Sequence, residues 1–304
     1  MVSIATLHPA LQQALEEYRK ERGFDAKAFV ERKCTMFNEY MSQHGLRAAV
    51  VSTSGGVDSA VTLGLAAYAS KMPDSPIAKV LAIAQPIHST AKIQNRAYDV
   101  AKAFGVEIVT VDQSKVHTEV CGLVQDALGF EGNSFIDGQM RSYMRTPVNF
   151  YIAQVLASQG LPAIVLGTGN YDEDGFLLYF SKAGDGCADI QLIADLHKSE
   201  VFKVGAELGV PELVLNAPPS ADLWDDQTDE AELGCTYDFV ELYHWYRSSS
   251  EVKQAEWKAS LTPEALDVFT KSEEAVVRTH RRNQHKENWP LNINIAEIDP
   301  REML

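Results

Sequence analysis

Residues 47–59 read RAAVVSTSGGVDS, an apolar Ala/Val run broken by a Ser-Gly-Gly turn. The run 47–53 has the length and β-branched content of a buried strand, and the Ala- and Leu-rich segment 58–70 reads as a helix. At such a junction the first backbone N–H groups of the helix lack intrahelical partners, and the helix dipole is positive there. Gly55 and Gly56 let the backbone approach an anion closely, while Ser54 and Ser59 add hydroxyl donors. The string is a phosphate cradle. Asp58 would repel phosphate in that cradle unless a cation came between them, so it reads as a Mg2+ ligand. A turn that merely caps a helix is the competing reading, and the full string in a strand–helix setting weighs against it. No Gly-Lys-Ser/Thr string occurs, which excludes a Walker A loop, and Gly184-Asp185-Gly186 lacks the third glycine of a dinucleotide fingerprint.

The strand–helix alternation repeats downstream. Strands are expected near 79–85, 106–111 and 163–167, with helices near 90–104 and 138–159. This pattern predicts an α/β fold: a Rossmann-like parallel sheet with helices on both faces. Helical spacing also marks Leu11, Leu15 and Tyr18, then Phe29, Phe37, Tyr40 and Met41. Segment 171–190 is polar and holds Gly175, Gly184 and Gly186, so it reads as a long loop. A last helix is expected near 262–282. The chain reads as a single domain over 1–304, with helical additions at 1–45 and 236–304.

The 304 residues carry 27 Lys and Arg against 42 Asp and Glu, a net charge of −15. That balance argues against a general nucleic-acid binder, whose affinity rests on basic surface, but leaves room for a small anion in a local pocket. Between 204 and 246 there are ten acids and no Lys or Arg, which reads as mostly a solvated face. Cys34, Cys121, Cys187 and Cys235 are too scattered for a zinc clip or a disulfide framework, so a reducing compartment is expected. No apolar run reaches the length of a membrane span, and the first residues lack the pattern of a signal peptide. A cytoplasmic protein that binds no membrane is the expectation.

The SGGVDS string resembles the signature of the PP-loop, or N-type, ATP pyrophosphatases. That resemblance implies that Ser52, Ser54, Gly55, Gly56, Asp58 and Ser59 bind ATP and that AMP is transferred to a substrate oxygen. Downstream strings are similar to those of the NAD synthetase family, in order, over about residues 25–290. In Gly167-Thr168-Gly169-Asn170 followed by Glu173, the resemblance implies ATP contact by Thr168 and a Mg2+ ligand in Glu173; Asp174 is an alternative. Residues 181–189, SKAGDGCAD, resemble the loop that closes over deamido-NAD, implying substrate contacts by Lys182, Asp185 and Asp189. Lys198 matches an ATP-binding lysine, and Ser220 in PSADL matches an ATP-contacting hydroxyl. Residues 228–238 resemble a further family string, and His285-Lys286 a pair that reaches the substrate. Arg145 fits an arginine of the family's GNxxARxR string. Tyr143 stands where that string has another arginine, Cys187 where the loop has glycine, and Glu287 where arginine follows the His-Lys pair.

The resemblance implies an ATP- and Mg2+-dependent amide-forming ligase. It would adenylate the nicotinate carboxylate of deamido-NAD and aminate it with ammonia, giving NAD, AMP and pyrophosphate. The chain starts about 50 residues before the cradle, leaving no room for a glutaminase domain, so ammonia is the expected donor. A homodimer is also implied. Three other readings compete: a specialised PP-loop amide ligase acting on another carboxylate, a tRNA-modifying relative, and a regulatory nucleotide-binding module without catalysis. The substitutions at 143, 187 and 287 support the first. The acidic charge opposes the second. The intact acids and lysines oppose the third.

Overall fold

The structure is a computed structural model that describes residues 7–89, 91–217 and 229–290. In chain order come α1 (Pro9–Arg22), α2 (Ala26–Gln43), β1 (Ala48–Ser52), α3 (Val57–Lys71), β2 (Lys79–Ala84) and α4 (Ala91–Phe104). Then follow β3 (Glu107–Thr110), α5 (Ser114–Leu128), α6 (Ser134–Ser158), β4 (Ala163–Gly167), a π-helical turn (Tyr171–Leu177) and β5 (Ile190–Gln191). The chain continues through α7 (Lys198–Leu208), α8 (Glu212–Leu215), α9 (Asp229–Leu233), α10 (Tyr237–Ser248), α11 (Glu251–Ser260) and α12 (Pro263–Asn283).

The strands form one parallel sheet in the order β3-β2-β1-β4-β5, with Val50 opposite Leu81 on one side and Val165 on the other. Side chains alternate across it as a strand requires. Ala49, Val51, Ala82, Ile164 and Leu166 join a core with α2, α3, α4 and α7. Ala48, Val50, Leu81, Ile83 and Val165 face the opposite way and meet Ala153 and Leu156 of α6. Both faces are therefore covered, as the Val-rich β1 predicts, and the α/β expectation holds.

From β1 the chain runs outward to β2 and β3, then returns to β4 on the other side. Opposite winding at that point leaves a crevice beyond the strands' C-terminal ends, where ligands bind in open α/β sheets.

A second core lies away from the sheet. Leu11 and Leu15 of α1 meet Leu177, Phe239, Tyr243, Phe269 and Val276, so α1, α10, α12 and the π-helical turn share one apolar centre. Although α2 adjoins α1 in sequence, it packs on the sheet with α3 and α7.

Segment 171–190 is not a plain loop but contains the π-helical turn and β5, and α5 precedes α6 where the sequence pattern marks no helix. The turn forms because Asn170 caps it, its Oδ1 accepting from the N–H groups of Asp172 and Glu173 at 3.1 Å each. At its other end, side chains spaced three apart reach over from α12 and the short turn that follows it. His280 Nδ1 donates to the Phe176 carbonyl, Asn283 Nδ2 to that of Leu177, and Lys286 Nζ to those of Leu178 and Phe180. These tertiary bonds satisfy the carbonyls at the turn's end, which local sequence cannot do.

Candidate active site

A cavity of about 660 Å³ opens at the crevice, lined by the ends of β1, β2 and β4, the N-terminus of α3, and parts of α6 and α12. Gly55 sits at φ +84, a conformation glycine adopts without Cβ strain. Gly56 starts α3 without a side-chain cap, whereas Asp25, Asn133 and Thr236 cap α2, α6 and α10. The first N–H groups of α3 therefore remain available to an anion. Ser54 and Ser59 shape the rim: their hydroxyls lie 3.1 Å apart, the Gly56 N–H donates to Ser54 Oγ, and Ser59 Oγ donates to the Gly56 carbonyl.

Across the crevice, Lys198 Nζ lies 2.6 Å from Asp58 Oδ2 and 2.8 Å from Glu173 Oε1. Asn170 ties the two acids together, since its Nδ2 donates to Asp58 Oδ1 while its Oδ1 caps the turn that carries Glu173. The Tyr237 hydroxyl donates to Glu173 Oε1 at 2.8 Å and lies 3.2 Å from Asp229 Oδ2. Burial pushes the Glu173 carboxyl up to about 7; Lys198 opposes the shift and the charges of Asp58 and Asp229 add to it. Burial also disfavours the charge on Lys198, but Asp58, Glu173 and Asp229 outweigh that and hold its ammonium above the usual lysine range. With all three acids ionised, Asp58, Glu173 and Asp229 outnumber the lysine by two negative charges. One divalent cation balances that charge, and a pair of carboxylates beside a phosphate site is the donor set Mg2+ prefers. The residues present thus fit the metal.

Of the positions the sequence singled out, Ser52, Ser54, Gly56, Asp58, Ser59, Thr168, Glu173 and Lys198 line the cavity. On the α6 and α12 side, Arg145, Asp185, His285 and Lys286 do too. Gly55, Lys182 and Asp189 are not in its wall. Asp189 Oδ2 instead accepts the Val165 N–H at 2.8 Å. Asp185 Oδ1 accepts from Ser142 Oγ and from the Ser181 N–H, so it fastens the 181–186 turn to α6. The fit there is close: a Cβ on Gly184 would fall 2.1 Å from Ser142 Oγ. Ser220 lies outside the described residues. Glu173, not Asp174, meets Lys198; Asp174 Oδ2 accepts from Gln191 Nε2.

Sequence reasoning gave no role to Asn170, Asp229 or Tyr237, although all three fall inside the quoted family strings. Nor is the acidic 204–246 stretch only a solvated face: Asp229 and Glu232 line the cavity, and Glu241 is buried against Arg19.

Residues 29–290 match the family described as NAD synthase. The chain belongs to the NAD synthase family. An NH(3)-dependent NAD(+) synthetase from Alkaliphilus metalliredigens is 33% identical over 274 residues, 88% of this chain and 98% of the relative. One from Methanococcoides burtonii is 36% identical over 198 residues, 65% and 70% of the two chains. The solved structure of an NMN synthetase from Francisella tularensis superposes with a TM-score of 0.72 at 25% identity, covering 89% of this chain and 99% of the other. This member of the family has no described helix long and apolar enough to cross a membrane.

Proposed function

We propose that this NAD synthase family member is an ATP-dependent ligase that amidates deamido-NAD with ammonia. The observation that carries the reading is the Asp58–Lys198–Glu173 constellation facing an uncapped helix N-terminus at the crevice. The free N–H groups of α3 and the Ser54 and Ser59 hydroxyls hold the pyrophosphate end of ATP. Asp58 and Glu173 would hold Mg2+, which supplies charge neutralisation at the triphosphate. Lys198, fixed between these acids, places positive charge beside the phosphates as charge develops on them. Arg145, His285 and Lys286 line the side from which an anionic acceptor enters.

The carboxylate oxygen attacks the α-phosphorus and pyrophosphate leaves, giving a mixed anhydride. Ammonia then attacks its carbonyl carbon, AMP departs with the electron pair, and nitrogen sheds a proton. Positioning and electrostatics supply the rate enhancement; no protein nucleophile is needed. Ammonia as the donor is supported by the printed names of the relatives. Purified protein given ATP, ammonium and deamido-NAD should form NAD and AMP in equal amounts.

One observation favours a second acceptor. The Francisella structure is an NMN synthetase, and Tyr143, in the cavity wall, replaces an arginine of the family string. Fewer cationic side chains suit an acceptor with fewer phosphates, here the mononucleotide of nicotinate. Comparing kcat/KM for the two acceptors separates the readings: a ratio above one for the dinucleotide supports the first.

Helices α5 and α6 and the link between them expose Leu123, Leu128, Phe130, Ile136 and Tyr151, apolar side chains of the kind that mark an interface. Phe135 and Tyr143 are also exposed and line the cavity. A second copy docked there would wall the acceptor side, so a homodimer is our reading. We treat 1–304 as one functional domain with its terminal helices as additions. A reducing cytoplasm suits the four unpaired cysteines.

A further inference from the structure

The chain of buried hydrogen bonds from α1 to the active-site lysine carries a further inference. Asp172, fully buried, directs Oδ2 at the Lys198 N–H, 2.7 Å away, and Oδ1 at His197 Nδ1, also 2.7 Å away. His197 is fully buried as well, and its Nε2 lies 3.0 Å from the Tyr18 hydroxyl of α1. A carboxylate can only accept, so the Nδ1 proton points to Asp172, while Nε2 and the Tyr18 hydroxyl share the outer hydrogen bond. The same helix reinforces the arrangement. Arg22 binds Glu200 with both Nε and Nη2, at 2.5 and 3.0 Å, and Glu200 Oε2 accepts the His197 N–H at 3.0 Å. Arg19 anchors α1 to α10 through Asp238 and the buried Glu241.

Two active-site groups depend on this chain. Lys198 is the first residue of α7, and Asp172 holds its backbone N–H. Glu173 directly follows Asp172 in the π-helical turn. We propose that Tyr18, His197 and Asp172 form a positioning relay through which α1 sets the placement of Lys198 and Glu173. None of the three lines the cavity, so each acts through the residues that do. Also, α1 precedes the span matched to the family, so the relay joins a segment outside that span to the shared site. Partners behind a metal or phosphate site typically change its performance tenfold to a hundredfold when removed. Misplacement of a reacting group by an ångström has similar cost.

The inference rests on the reading of Lys198 and Glu173 as active-site groups. Its test uses the full chain in five forms: wild type, Tyr18→Phe, His197→Ala, His197→Asn and Leu15→Ala. Turnover, KM for the acceptor, affinity for a non-hydrolysable ATP analogue, and Tm are measured for each. An asparagine amide can occupy the place of His Nδ1 and donate to Asp172, so His197→Asn keeps the inner half of the relay. Leu15→Ala removes core packing from α1 without touching the relay. His197→Ala should lower kcat about a hundredfold and weaken the analogue, with acceptor KM little changed. His197→Asn should recover most of both losses. Tyr18→Phe should cost about fivefold in kcat, the loss of one hydrogen bond. Leu15→Ala should lower Tm the most while leaving kcat within about twofold of wild type. The relay is overturned if His197→Asn is as impaired as His197→Ala, or if kcat merely follows Tm across all variants, Leu15→Ala included. Should wild type turn over no acceptor, the functional reading fails instead, and analogue affinity alone still judges the relay by the same comparison.

Discussion

Asp58, Glu173 and Lys198 come from three parts of the chain, yet their charged atoms meet within 2.8 Å. If the carboxylates hold the cation that faces ATP, Asp58→Asn and Glu173→Gln should each lower kcat/KM more than tenfold, at least about 1.4 kcal/mol of transition-state stabilisation. Asp174→Asn should have a smaller effect, because Asp174 turns toward Gln191. Steady-state kinetics on correctly folded variants checks both statements. Glu173 also sets a pH dependence. Its carboxyl is pushed up to about 7, and only the ionised form holds a cation. So kcat/KM for ATP should rise as pH increases through about 7, since that ratio reports groups of the free enzyme. Glu173→Gln should remove that limb from whatever activity remains. At this scale the sequence was informative about Asp58, whose place in a phosphate cradle already implied a cation. It was silent on Tyr237 and Asp229, because a phenol and an acid in an acidic stretch have no local signature; their roles arise only when α9 and α10 fold back against the π-helical turn.

The π-helical turn and α5 show why some elements were not legible. Tyr171–Leu177 is Asp-, Glu- and Gly-rich, so its sequence reads as loop; Asn170 and the His280, Asn283 and Lys286 side chains hold it helical. In α5, Val116, Leu123, Val124 and Leu128 point outward, so its apolar residues do not mark a core-facing stripe. By contrast β1, β2 and β4 were legible, because strands buried on both faces need continuous apolar runs. One element carries a stability prediction. His244 of α10 is buried against Tyr171 and Phe176, and burial, with the charges of His197 and Arg247, lowers its pKa to about 3. In the unfolded chain it titrates near 6.5. Between those values the unfolded state binds more protons, so stability is complete above about 6.5 and is lost as pH falls toward 3. A single site contributes at most about 1.4 kcal/mol per pH unit. Urea denaturation at several pH values should show this slope, and His244→Phe should flatten it.

For the whole molecule, the proposed homodimer would tie assembly to activity through the apolar α5–α6 face beside the cavity. Tyr151, 72% exposed and outside the cavity wall, is the cleanest probe of the face. If the proposed second copy walls the acceptor side, Tyr151→Glu should convert a dimer into a monomer in sedimentation velocity and raise the acceptor KM. A wild-type monomer at micromolar concentration would remove that proposal. The order of the family strings along the chain makes the overall chemistry legible in the sequence, whereas the dependence of the site on α1 is not, since Tyr18 and His197 are 179 residues apart. What distinguishes this chemistry from other ATP-driven amidation is the bond that breaks. Phosphorus-31 NMR of a reaction containing ATP, ammonium and deamido-NAD follows that bond directly. The account predicts AMP and pyrophosphate accumulating one for one with NAD in wild type, and neither in Asp58→Asn. Formation of ADP and orthophosphate, or unchanged turnover in Asp58→Asn, would contradict it.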